Sequence, residues 1–234
     1  MPVFELNETP LFPSASLADD SGIIAVGGDL TPERLIEAYA GGIFPWFSKK
    51  DPIIWWSPDP RFVLFPDDLK ISKSMKQVLN RNIYEIKFDT SFREVITACS
   101  LPRKKEKSTW ITKDMIEAYI KLHELGFAHS VEAWRNSELI GGLYGINIGS
   151  MFFGESMFSR EPNASKAAFI TLVKILKKLN FTLIDCQVHS DHLESLGAVN
   201  IPRIEFLKLL DESIQKLTYK GNWNYMEEFT SLQS

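Results

Sequence analysis

The sequence predicts a mixed α/β protein: a small N-terminal part over residues 1–61, then a larger α+β domain over residues 62–234. Three observations carry this. Over 234 residues, 44% hydrophobic, 24% charged and 12% aromatic content sits at globular averages, which excludes a disordered, collagenous or repeat-built chain. The first 60 residues are broken by Pro2, Pro10, Pro13, Pro45, Pro58 and Pro60 and crowded with aromatics, so long regular elements are few there. Beyond Arg61, runs of period two alternate with runs of period 3.6, the mark of strands and helices in one domain.

Taken in order, Thr31-Pro32-Glu33-Arg34 opens a helix, with Thr31 as N-cap and Pro32 at the first helical position, and Gly41-Gly42 ends it. Trp46, Trp55 and Trp56 follow within eleven residues of a proline-punctuated stretch. Such rings either plug this stretch onto the main domain or offer a stacking surface to a ligand ring. Residues 72–80 and 113–125 read as amphipathic helices, the second stopped by Gly126. Between them Arg103-Lys104-Lys105-Glu106-Lys107 is a basic loop, either solvated surface or a phosphate contact. A meander comes next, with strands over 130–135, 139–146 and 151–158 and turns at Asn136-Ser137 and Asn147–Gly149. Residues 163–179 form the clearest helix, residues 181–188 a β-rich run, and residues 203–217 a closing helix with an aromatic tail through Trp223 and Tyr225.

Several function classes drop out. A net charge of −4 gives no overall basic field to hold a duplex, so any nucleic acid is gripped locally. Two cysteines, and an opening that carries Glu5 and Glu8 instead of a charged-then-apolar leader, predict a reduced, cytoplasmic protein. The uncharged stretch from Leu139 to Gly154 holds five glycines and is shorter than the roughly 20 apolar residues of a spanning helix. Cys186, His189, Asp191 and His192 offer zinc ligand types, yet in a strand Cys186 and His189 point to opposite faces and no second pair completes a tetrahedral set. No metal is expected. Neither a Walker A loop, a G-x-G-x-x-G fingerprint nor a nucleophile elbow occurs.

Residues two apart in a strand share a face, so an extended 151–158 places Met151, Phe153, Glu155 and Met157 together. Asp185 and Gln187 share a face of the following strand, and polar groups thereby converge from two strands. At 100° per residue Phe169, Leu172 and Leu176 form one stripe of the helix between them, either plain core or the wall of an apolar pocket.

The strings Gly42-Ile-Phe-Pro-Trp-Phe47, Trp55-Trp-Ser-Pro-Asp-Pro-Arg61, Thr109-Trp-Ile-Thr112, Leu122-His-Glu-Leu-Gly126, Gly154-Glu-Ser-Met-Phe-Ser-Arg160, Asn163-Ala-Ser-Lys166 and Leu183-Ile-Asp-Cys-Gln187, with Ser195-Leu-Gly-Ala198 and Ile201-Pro-Arg203, run in order along nearly the whole chain. Together they closely resemble the bacterial leucyl/phenylalanyl-tRNA–protein transferases. The resemblance implies transfer of leucine or phenylalanine, and methionine weakly, from aminoacyl-tRNA to the N-terminal Arg or Lys of a protein, marking it for N-end rule degradation. It implies a small N-terminal domain before a domain like the Gcn5-related N-acetyltransferases, with a mixed, mostly antiparallel sheet. It makes Glu155, Asp185 and Gln187 the polar active-site residues, has Trp46 and Trp110 bracket the terminal adenosine, and maps the amino-acid pocket to Leu143, Met157, Phe169, Leu172 and Leu176. The donor is an activated ester, so no cofactor is required. Stacking a base on an aromatic contributes on the order of 1–3 kcal/mol and does not need a basic protein.

Two other classes stay in view. An acyl-CoA-dependent N-acetyltransferase on the same fold carries an Arg/Gln-x-x-Gly-x-Gly/Ala pyrophosphate loop, whereas the equivalent place here reads Arg160-Glu-Pro-Asn-Ala-Ser-Lys166. A non-catalytic RNA-binding module would interleave basic and aromatic residues.

Overall fold

A computed structural model describes residues 3–102 and 109–230; the basic run 103–107 lies outside them. A four-stranded sheet forms first, from β1 (Phe4–Leu6), β2 (Ile23–Gly27), β3 (Phe44–Pro45) and β4 (Ile54–Trp56) in the order β1-β2-β4-β3. Helix α1 (Pro32–Ala40) lies between β2 and β3, with Pro32 at its first turn. Its N-cap Thr31 makes no side-chain cap bond; the hydroxyl donates to Asp29 instead, at 2.6 Å. Trp55 is fully buried and donates to the Gly27 carbonyl at 2.9 Å, whereas Trp46 is 40% exposed and leans on Trp56. Plug and open ring are therefore divided among neighbouring tryptophans.

Seven strands make the main sheet: β5 (Arg61–Leu64), β6 (Glu85–Phe88), β7 (Ala128–Arg135), β8 (Glu138–Ile148), β9 (Met151–Ser159), β10 (Leu183–Gln187) and β11 (Val199–Ile201), ordered β11-β5-β10-β9-β8-β7-β6. Every neighbouring pair is antiparallel except β9 with β10. A parallel pair needs a crossover, and α5 (Ala164–Lys178) supplies it. The β7–β8 hairpin turns at Asn136 and Ser137, both at positive φ, as a two-residue turn of matching twist requires. At the β8–β9 turn Gly149 has φ +56°, and a Cβ there would lie 2.0 Å from the Ser213 carbonyl oxygen.

Among the described residues six further α-helices occur: α2 (Lys73–Asn80), α3 (Phe92–Cys99), α4 (Lys113–Glu124), α6 (Asp191–Glu194), α7 (Arg203–Ile214) and α8 (Glu227–Thr230). Ser72 and Thr112 cap α2 and α4 by accepting from the Met75 and Met115 amides. Residues of α5 pack one face of the main sheet; α1, α3, α4 and α7 contribute to the cluster on the other, which the four-stranded sheet shares through Ile24 and Trp55. Among the described residues no helix is long and apolar enough to cross a membrane.

Fully buried Glu132 accepts bonds from Ser130, Thr90 and the Ser91 amide at the start of α3. Burial outweighs these bonds and raises its carboxyl to about 7. A raised acid binds its proton more tightly folded than unfolded, so this contribution to stability is full at low pH and fades as pH rises from about 4.5 to about 7, by about 3 kcal/mol. Chemical denaturation at several pH values should show that Glu132→Gln lacks this decline. Parallel curves for variant and wild type would refute it.

Candidate active site

Parallel pairing of β9 with β10 ends at Phe153 and Asp185, and both strands are irregular just beyond that point. A bulge opposite Tyr144 and Gly145 leaves Glu155 as the extra residue of β9. A second one on β10 skips Cys186, and Gln187 stands at φ +63°. A bulge shifts the side-chain alternation by one. Met151 and Phe153 accordingly belong to one core cluster while Met157 packs against the opposite one. The expectation that Met151, Phe153, Glu155 and Met157 share a face is corrected: Met157 is on the other side of the sheet.

Where the strands part, Glu155 and Gln187 meet. The Gln187 Nε2 donates to Glu155 Oε1 at 2.7 Å, so the amide carbonyl is the end left for another donor. Tyr39 of α1 donates to the same oxygen at 2.7 Å and Tyr119 of α4 to Oε2 at 3.0 Å. The two phenol oxygens are also in hydrogen-bond contact with each other. Glu155 is half-buried, and desolvation, only partly offset by the tyrosine and glutamine bonds, raises its carboxyl to about 7.

Asp185 is turned away from this meeting point. Arg61 donates to both its oxygens, Nε at 2.9 Å and Nη2 at 2.6 Å, and neither side chain is exposed. The guanidinium also donates to the Gly42 carbonyl at 3.1 Å and lies between the rings of Phe44 and Phe206. From inside this clamp, Asp185 Oδ1 accepts the backbone N–H of Gln187 at 2.9 Å. The aspartate thus holds the Gln187 backbone; the Gln187 side chain is held by Glu155.

A cleft of about 460 Å³ opens beside the pair. Glu155, Gln187, Leu143, Met157 and Phe169 line it, and Trp46 and Trp110 stand in its wall as well. Asp185, Leu172 and Leu176 are not among the lining residues; all three are fully buried, the leucines in the core under the sheet. Of the helical stripe, Phe169 alone reaches the cleft, because α5 is buried on nearly every side and its leucines are taken up by the sheet. Cys186 belongs to the core cluster around α5 and also borders the cleft; burial raises its thiol well above the usual range, leaving it a poor nucleophile. His189, Asp191 and Glu194 gather, exposed, on the segment after β10, without Cys186.

Sequence reasoning missed Tyr39, Tyr119 and Arg61 as site residues. For the tyrosines no local signal existed, since each occupies an ordinary buried position of an amphipathic helix. Arg61 did carry one: an arginine opening the apolar run Phe62-Val63-Leu64 must be paired if that run is buried.

The model of the leucyl/phenylalanyl-tRNA protein transferase family matches residues 63–211, and that of its N-terminal domain residues 28–59. The chain belongs to this family. Its transferase relatives include one from Syntrophus aciditrophicus, 55% identical over 96% of this chain and 94% of its own length. A transferase from Myxococcus xanthus is 54% identical over 95% of this chain and 97% of its own, and one from Desulforapulum autotrophicum is 53% identical over 95% and 98%. The similarity spans 94–98% of these relatives' own lengths, so it takes in both the N-terminal sheet and the main sheet. A solved structure of L-PGS from Bacillus licheniformis is 14% identical with a TM-score of 0.40, over 71% of this chain and 53% of its own.

Proposed function

We propose that this chain transfers leucine or phenylalanine, and methionine weakly, from charged tRNA to the N-terminal amine of proteins beginning with Arg or Lys, in the cytoplasm. The product is a peptide bond and a degradation signal. The observation that carries the reading is 55% identity over 96% of the chain to a transferase of that name.

The cleft suits such a donor. Its apolar side, with Leu143, Met157 and Phe169, would take the leucyl or phenylalanyl side chain, and Trp46 and Trp110 would stack the terminal adenine. The aminoacyl ester is already activated, so the protein's task is placement. Gln187 would orient the attacking amine through its carbonyl, and the Arg61–Asp185 clamp would keep Gln187 in its left-handed backbone conformation. The donor's neighbouring ribose hydroxyl would pass a proton to the leaving oxygen.

Incubation with either Phe-charged tRNA or acetyl-CoA, and an Arg-started peptide, tests the reading. Label should reach the peptide from the tRNA alone; acetylation of the peptide would replace the reading with an acyl-CoA enzyme. Trp110→Ala should raise the donor's KM far more than the peptide's while melting behaviour is nearly kept, because the ring is part-exposed in the cleft wall. Loss of the cooperative melt in that variant would instead assign Trp110 to the core.

A further inference from the structure

An amine attacks an ester only as the free base. An N-terminal amine ordinarily titrates at about 7.7–8.0, so at neutral pH it arrives largely as ammonium and has to shed a proton first. Gln187 is not basic, Asp185 is clamped by Arg61 outside the cleft, and the Cys186 thiol, although Cys186 borders the cleft, is held protonated by burial. His189, on the cleft wall, is engaged by Glu194 at 3.3 Å. Glu155 is the carboxylate that lines the cleft beside Gln187.

The triangle of Tyr39, Tyr119 and Glu155 has a proton count that matters. Three contacts join the three groups: phenol to phenol, Tyr39 to Oε1 and Tyr119 to Oε2. Both phenols are fully buried; burial, then the nearby Glu155 charge, pushes them well above their usual range, so each keeps its single proton. Two protons cannot fill three O–H···O contacts. With Glu155 ionised one contact lacks its proton, and one added proton closes the ring.

We propose that the Tyr39–Tyr119–Glu155 triangle receives the proton that the acceptor ammonium sheds before attack, with Glu155 as the proton acceptor and the two tyrosines as positioning residues. This rests on the transferase reading above. One proton passes from the ammonium nitrogen to the Glu155 carboxylate and frees the nitrogen lone pair. That lone pair attacks the ester carbonyl carbon, the bond from carbon to the 3′ oxygen breaks, and the nitrogen's surplus proton goes to the departing oxygen. Glu155 afterwards returns its proton to water. The transfer turns an ammonium and a half-buried carboxylate into two neutral groups, and with Glu155 near 7 it is close to balanced. The ionisable or polar groups facing Glu155 are Tyr39 from α1, Tyr119 from α4, Tyr144 from β8, and Gln187 and Asp185 from β10, the last paired with Arg61 of β5.

The test uses the full chain with carbon-13-labelled glutamate. The Glu155 signal, assigned by its loss in Glu155→Gln, is titrated by NMR in wild type, Tyr119→Phe and Tyr39→Phe, each keeping the buried ring. Single-turnover transfer from Phe-charged tRNA to an Arg-started peptide is measured over the same pH range. Each phenylalanine removes a donor to the ionised carboxylate, so the Glu155 midpoint should move up. The lower break of the rate profile should move with it, and the rate at neutral pH should fall about fivefold for the first pH unit the midpoint climbs and about tenfold for each one after, with recovery at higher pH and unchanged donor Kd. A merely structural tyrosine would lower the rate equally at every pH. A midpoint that stays put in both variants overturns the ring, and a midpoint that moves without the rate break overturns its part in transfer. Absence of any peptide product from wild type overturns the transferase reading and the origin of the proton, while the titration still reports on the ring.

Discussion

Gln187→Ala should lose about 10²-fold in single-turnover transfer rate with the donor's Kd unchanged, the scale of loss that misplacing one reacting group brings. The reason is positional. Gln187 spends its amide nitrogen on Glu155 and has its backbone N–H tied to Asp185, which leaves the carbonyl oxygen as the free end beside the cleft. Alanine removes that oxygen and the Nε2 bond but leaves Trp46, Trp110, Leu143, Met157 and Phe169 in place for the donor. Gln187→Glu keeps an acceptor oxygen while losing the donor to Glu155, so partial activity is expected. Rapid-quench transfer with prebound Phe-tRNA separates the two steps. An unchanged rate in Gln187→Ala would dismiss the orienting role outright.

Breaking the Arg61–Asp185 pair should have the largest effect on stability. Both side chains are fully buried, and the aspartate has both oxygens engaged by one guanidinium. Arg61→Met leaves a carboxylate in the core without its counter-charge, at a cost of about 3–5 kcal/mol. The double variant Arg61→Met with Asp185→Leu removes the uncompensated charge and should regain most of that stability, since apolar replacement of a buried pair is often neutral. Activity should not return with it, because the Gln187 amide then has no Oδ1 to hold it at φ +63°. Denaturant melts and transfer rates on wild type, Arg61→Met and the double variant read both effects. A double variant as fast as wild type would show that the clamp is dispensable for placing Gln187.

Much of the architecture was legible along the chain because its causes are local. Pro32 after Thr31 starts α1, Ser72 and Thr112 begin α2 and α4, and Asn136-Ser137 turns the β7–β8 hairpin; each depends on residues within one turn of itself. Short strands such as β1, β2, β6 and β11, and helix α3, escaped notice. They are three to eight residues long and draw their stability from neighbours distant in sequence.

The ordered strings from Gly42 to Arg203 determined the family by themselves, and with it Glu155, Asp185 and Gln187 as the residues to examine. Their division of labour was decided by tertiary structure. Period two put Met157 beside Glu155 and Gln187 on the face of Asp185, but a bulge in each strand moves Met157 across the sheet and sends the Gln187 side chain to Glu155. A bulge arises from the pairing of two strands, and neither strand's own sequence announces it. Asp185 finds Arg61 at a separation of 124 residues, and Tyr39 finds Tyr119 at 80, because the sheet order sets β5 against β10 and the packing sets α1 against α4. Local sequence chooses the element and the residue type; only the closed core brings two buried phenols to one carboxylate and so sets how many protons that site can hold.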